Sequence, residues 1–265
     1  MKIKVSEYRK KARASLEGQW GINAWIIFLS IVIGIVLQEI FGGFFPTGST
    51  QSNIFNFLLQ HVLVFAFTYG VYYISLVVVR GGQAKPNLLF AVFQKEYFVP
   101  ILLINLFNAV VNWLINGIIF LPGFLIGGFN TYVDLLFNGN TAPQQIMPDY
   151  TIDLSFAVLT TLLFFVSLFA MTVVMGLFQF AAWTKFDYPK LTVIQSLRYA
   201  WFLLKDRIWT YLLLQLSFIG WYILGFIALF FGLLWVIVYV NVSIAEFYEQ
   251  ARIEKGSPME YFSLG

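Results

Sequence analysis

The 265-residue chain has no cysteine, one histidine and only 11% charged residues. Without cysteine there is no disulfide, thiol nucleophile or thiolate metal site, and the redox compartment leaves no trace. A single histidine excludes HExxH and every other two-histidine metal centre. No GxxxxGK[ST] stretch is present, so no P-loop nucleotide site is encoded, and no GxSxG elbow occurs either. Ser-His-Asp chemistry would have to use His61. Paired intramembrane carboxylates are also missing. Every aspartate falls in a loop, and Glu39 is the one acid clearly inside an apolar run. These absences disfavour an enzyme, and no cofactor or metal is expected.

The shortage of charge carries a second exclusion. A soluble domain is roughly 25% charged. Here 60% of residues are hydrophobic, with 30 Phe, 14 Tyr and 8 Trp, and the mean hydropathy is +0.79. That leaves too little polar surface to cover a globule in water. Soluble enzymes, nucleic-acid binders and disordered proteins are excluded, and the composition is that of an integral membrane protein. The net charge of +3 then reads as basic residues at a membrane surface, with no nucleic-acid partner.

A membrane span needs roughly 20 apolar residues. Such runs extend from Trp20 to Phe41, Ile54 to Val79, Phe98 to Leu121 and Leu154 to Trp183. The block from Ile208 to Phe247 would reach about 60 Å as one helix, twice the hydrocarbon thickness, so it is predicted to fold into a hairpin. Gly225, Ala228 and Gly232 mark the expected turn. The fold class is therefore all-α: one polytopic bundle of about six transmembrane helices, plus two short amphipathic cytoplasmic helices, in a single domain over 1–265. The first apolar run is too long for the h-region of a cleavable signal and reads as the first anchor.

With six spans, all 16 Lys and Arg residues fall on one side. The opposite side receives none, and its long loop, 122–153, carries Asp134, Asp149 and Asp153. The positive-inside rule then predicts both termini in the cytoplasm.

The two amphipathic segments lie on that basic side. In the first, Val5, Tyr8, Ala12 and Leu16 share a helical face, with Ser6 as expected N-cap and Gly18 as stop. Arg9, Lys10, Lys11 and Arg13 supply its charge. The second opens with a capping box, Thr192 to Gln195. Val193, Leu197, Ala200, Trp201 and Leu204 form its expected apolar face, with Arg198 and Lys205 as its basic residues. Both are predicted to contact anionic lipid of the inner leaflet; the alternative is packing against the ends of the spans.

Polar residues inside spans are few. Asn105, Asn108, Asn112 and Asn116 follow helical spacing and share one stripe. The stripe must face protein or water, either as interhelical hydrogen-bonding glue or as the polar lining of a solute path. Glu39 and His61 both lie toward the outer ends of spans one and two. They are either a titrating pair or two residues that reach independently for water. Ser30/Gly34 and Ala66/Gly70 are small-residue pairs suited to close helix contact.

Two stretches resemble a known family. Arg9, Ala12, Leu16, Gly18, Trp20 and Gly21 resemble the opening of a bacterial integral membrane family, domain of unknown function 975. Leu216 to Trp221, then Gly232 and Trp235, then Tyr239, then Phe247-Tyr248, follow its C-terminal order, and Ser196 with Arg198 fits as well. Met175-Gly176 and Val238-Tyr239 stand where the family often has Pro-Gly and Pro-Tyr. The resemblance implies a bacterial plasma-membrane protein and supplies no catalytic residue. The expected role is a non-enzymatic lipid-binding or membrane-assembly accessory protein, with membrane lipids and another membrane protein as the partner classes. A small-solute or lipid transporter using the Asn stripe is the alternative, and an intramembrane enzyme comes third.

Overall fold

The computed structural model describes residues 4–42, 44, 50–121, 124, 128–129 and 154–263. The three aspartates of the 122–153 loop lie outside them. Helix is the regular structure throughout the described residues. Helix α1 covers Val5–Ser15 and α2 covers Trp20–Gly42. Helices α3 (Thr50–Leu58) and α4 (Phe65–Val79) are joined by a π-helical turn, Leu59–Val64, into one rod. A 3-10 helix, Pro86–Phe93, precedes α5 (Phe98–Ile119). Then come α6 (Leu154–Asp187), α7 (Val193–Leu204), α8 (Ile208–Leu216), α9 (Ile219–Ile227), α10 (Phe231–Lys255) and α11 (Pro258–Ser263).

Six stretches are long and apolar enough to cross a membrane, as expected from the sequence. The predicted hairpin is present, and its turn is Ala228–Phe230. The left-handed residues there are Leu229 (φ 54°) and Phe230 (φ 65°), not the neighbouring glycines. Gly225 and Gly232 instead face one another: a Cβ on Gly232 would sit 2.9 Å from the Gly225 Cα. The two glycines let α9 and α10 approach at the tip. Span five is itself broken. Helix α8 closes with the Phe218 N–H donating to the Gln215 carbonyl at 3.0 Å, and α9 begins one residue later.

The chain forms two compact units. One comprises 1–106 and 176–265, the other 107–175, so α5 and α6 are each shared between them. The core of the first unit is aromatic. Phe180 and Trp183 of α6 both meet Tyr248 of α10 at 5.3 Å between ring centroids. The Trp183 indole N–H donates to the Tyr72 carbonyl at 2.7 Å, which satisfies a buried donor that lipid could not. Gly176 makes the α6–α8 contact possible, because any Cβ there would lie 2.6 Å from Tyr211 Cζ.

The connection between spans two and three does not stay at the end of α4. Leu89 of the 3-10 helix rests on Gly70, where a Cβ would collide with the Leu89 carbonyl. Gly70 lies nine residues before Val79, or about 14 Å back along the helix at 1.5 Å per residue. Phe90 and Phe93 of this returning segment both pack on Phe67.

The second unit presents apolar surface. Val110, Leu114, Leu162, Phe165 and Val166 are exposed. In water such a surface would be a liability; against acyl chains it is the ordinary exterior of a span.

Candidate functional site

Helix α1 is seated on protein. Tyr8, Ala12 and Leu16 are buried, as their shared face predicts, and Tyr8 packs on Phe247 at 5.1 Å. Ser15 Oγ donates to Glu246 Oε1 at 2.8 Å, and Lys11 Nζ to Gln250 Oε1 at 3.1 Å. The helix starts at Val5 with Lys4 as N-cap, so Ser6 lies inside the first turn and caps nothing. Lys10, Lys11 and Arg13 remain exposed.

Arg9 differs from those three, because its side chain is turned toward the break in span five. The guanidinium lies 5.3 Å from the Phe218 ring centroid and 5.8 Å from that of Tyr239. Its Nε donates to Tyr239 Oη at 3.4 Å and its Nη1 to the Ser217 carbonyl at 3.5 Å, while the Tyr239 hydroxyl donates to the Arg9 carbonyl at 3.2 Å. Trp20, Phe218 and Trp221 surround the Tyr239 ring, edge to face, at 5.7, 5.0 and 5.6 Å. A cation so placed gains on the order of 0.5–2 kcal/mol from the ring quadrupoles. Residues from both ends of the chain therefore build one cluster.

Helix α7 opens with the predicted capping box: the Thr192 hydroxyl accepts from the Gln195 N–H at 3.2 Å, and Gln195 Oε1 accepts from the Thr192 N–H at 2.9 Å. Its buried face is rotated from the expected one. Ala200 and Leu204 are inside, but their companions are Ser196, Tyr199 and Leu203. Ser196 is accommodated because its hydroxyl donates to the Thr192 carbonyl at 3.1 Å. Tyr199 and Phe202 both meet Tyr261 of α11, the latter stacked at 4.4 Å. Trp201 is 45% exposed and Ile194 is 59% exposed. With Arg198 and Lys205, also exposed, they form one outward row at helical spacing.

Four charged side chains lock spans two, four and six together. Arg80 holds Asp187 through Nη1 and Nη2, at 2.7 and 2.8 Å, and Glu249 at 2.7 Å. Arg252 pairs with the same Glu249, and the Tyr248 hydroxyl donates to Asp187 at 3.0 Å. Burial works against the Arg80 charge, but its bonds to Asp187 and Glu249 outweigh that and raise its pKa above the ordinary arginine value. The sequence reading missed this network. The available signal was an opposite charge at the basic-side ends of three different spans. A second set ties α7 and α8 to α10, with Arg207 on Glu254 and Lys255 on Asp206.

The intramembrane polar residues divide. Asn105 is 8% exposed. Its Nδ2 donates to the His61 carbonyl at 3.1 Å and lies 3.5 Å from His61 Nδ1. His61 sits in the π-helical turn, a geometry frequent at functional sites. The adjacent residue, Gln60, accepts from Gln38 of span one at 3.0 Å. One turn thus reaches two neighbours. Glu39 is exposed and forms no ion pair or hydrogen bond with His61 among the described residues. In the second unit, Asn112 Nδ2 donates to the Asn108 carbonyl at 2.9 Å and to its side-chain oxygen at 2.8 Å, within one helix. Asn116 is half-buried. A shallow cleft of about 230 Å³ runs between spans one and two, lined by Ser30, Gly34, Gln38, Val64 and Thr68 among others. It includes Ser30 and Gly34, the small pair noted in the sequence, and none of the four asparagines. Among the described residues no group of three or more His, Asp or Glu side chains is placed to hold a metal.

Six apolar helices of spanning length, exposed aliphatic surface and charge gathered at helix ends define a multi-pass α-helical membrane protein. Residues 1–255 match the family model described as "Protein of unknown function (DUF975)", and the chain belongs to that family. No curated protein and no solved structure matches the chain. Seven of the residues that carried the resemblance meet in space: Arg9, Trp20, Phe218, Trp221 and Tyr239 in one cluster, and Phe247 with Tyr248 in the adjoining aromatic core.

Proposed function

We propose that this is a non-enzymatic protein of the bacterial plasma membrane, with both termini cytoplasmic, whose inner surface holds anionic lipid. The observation that carries the reading is the outward row Ile194, Arg198, Trp201 and Lys205 on α7. A helix that only packed against the spans would turn Trp201 and Ile194 inward. Here the apolar pair points away from the protein beside two cations, which suits a headgroup region. Lys10, Lys11 and Arg13 add exposed charge on α1. Each basic residue near an anionic surface contributes about 1 kcal/mol before screening. The test is reconstitution of the full chain in vesicles of phosphatidylcholine with and without phosphatidylglycerol. Anionic lipid is expected to raise the unfolding temperature, and added salt to reduce that gain. An unfolding temperature independent of lipid charge contradicts the reading.

A further inference from the structure

Three described arginines are half-buried: Arg9, Arg207 and Arg252. Arg207 holds Glu254 and Arg252 holds Glu249. Arg9 has no carboxylate among the described residues. Its guanidinium has five N–H donors. One reaches Tyr239 Oη and one the Ser217 carbonyl, both at long range, 3.4 and 3.5 Å. The other three have no partner among the described residues. A half-buried cation is thus held in place by aromatic faces and left without a counter-ion.

The surroundings have the character of a membrane interface. Trp20 opens span one and Trp221 lies in the first turn of α9. Neither indole N–H has a partner among the described residues, and both rings pack on Tyr239 beside Arg9. Next to Trp221, Gly220 borders open space, with nothing within 4 Å of where a Cβ would stand. From there α9 runs on with Ile219, Ile223 and Leu224 exposed. The unpaired fork therefore stands where a charged helix adjoins a lipid-facing one.

We infer that Arg9 is the anion-binding group of a phosphate site bordered by Trp20, Gly220 and Trp221, and that the phosphate of a phospholipid headgroup is the chemistry it takes. The inference rests on the reading above that this side of the bundle faces the inner leaflet. Guanidinium matches a phosphate with two parallel N–H donors, and its weak hydration lets it work half-buried. Contact with the Phe218 and Tyr239 rings, at 5.3 and 5.8 Å, holds the fork in place before the anion arrives. Headgroup and free phosphate share this chemistry, so both serve as probes.

The experiment uses the full chain in detergent, with bound molecules counted by native mass spectrometry. Short-chain phosphatidylglycerol and inorganic phosphate are titrated separately into wild type, Arg9→Gln, Arg9→Lys and an Arg198→Gln/Lys205→Gln control. One tight lipid is expected on wild type. Arg9→Gln should weaken it about tenfold, the loss of a charge-assisted fork, with Arg9→Lys intermediate. The α7 control should keep that one lipid while weakening the general preference for anionic lipid. Arg9-dependent binding of the lipid alone assigns the source as headgroup; equal Arg9-dependent binding of inorganic phosphate assigns it as the free ion. Unchanged binding of both probes in whichever Arg9 variant folds overturns the site. Unchanged lipid preference in the α7 control instead overturns the surface reading and leaves the Arg9 result standing.

Discussion

Arg80 and Asp187 meet through the two terminal guanidinium nitrogens and both carboxylate oxygens, at 2.7 and 2.8 Å. The pair joins the end of span two to the end of span four, and Glu249 extends it to span six. Because the Arg80 side chain is 36% exposed, water shares the interaction. Asp187→Asn should cost about 1–2 kcal/mol, above an ordinary surface pair because the contact is two-pointed and networked. Thermal unfolding in detergent measures it. A double-mutant cycle with Arg80→Gln should show coupling, and additive losses would remove the pair from the account.

Gly176 and Tyr211 give a steric prediction. The Cβ of Gly176→Ala would lie 2.6 Å from a ring atom of a fully buried tyrosine. Overpacking of this kind costs about 1–3 kcal/mol. Tyr211→Leu in the same chain should recover part of the loss in unfolding temperature. Gly176→Ala at wild-type stability would show that the two helices do not approach so closely.

The asparagines should separate by position. Asn105 bridges to His61 of another span, so Asn105→Leu should lower stability by about 0.6–2 kcal/mol. Asn112 bonds within its own helix, so Asn112→Leu should have a smaller effect. Equal losses would mean that Asn112 also reaches across helices.

The absence of native cysteine makes topology simple to test. A cysteine placed at Gln51 should react with an impermeant thiol reagent in intact cells. One at Gln94, exposed in the connection between spans two and three, should react only after permeabilisation. Labelling at Gln94 from outside would reverse the proposed orientation.

Span number and the hairpin were legible in the sequence because each depends on the length of an apolar run. The Thr192–Gln195 cap was legible because it is local. The rotation of α7 was not. Helical spacing defines a broad stripe, and only the contacts to α10 and α11 decide that Tyr199 goes in and Trp201 out. The Arg9 cluster was out of reach for a different reason. Its members come from residues 9, 20, 218, 221 and 239, and no local pattern announces that they meet. The π-helical turn likewise depends on a shift in backbone hydrogen bonding that composition does not encode, so the partner of His61 was legible only once Asn105 stood beside it.

The central claim is that the basic end of the bundle engages anionic lipid. Its most direct test is the lipid that leaves the membrane with the protein. The full chain is extracted from cells in copolymer discs, and the phosphatidylglycerol share of its lipid is compared with that of bulk membrane. Enrichment is expected for wild type, falling to no more than the one lipid assigned to Arg9 when Lys10, Lys11, Arg13, Arg198 and Lys205 are all replaced by Gln in a variant that remains folded. Bulk composition around the wild-type protein, or enrichment undiminished by the five replacements, would contradict it.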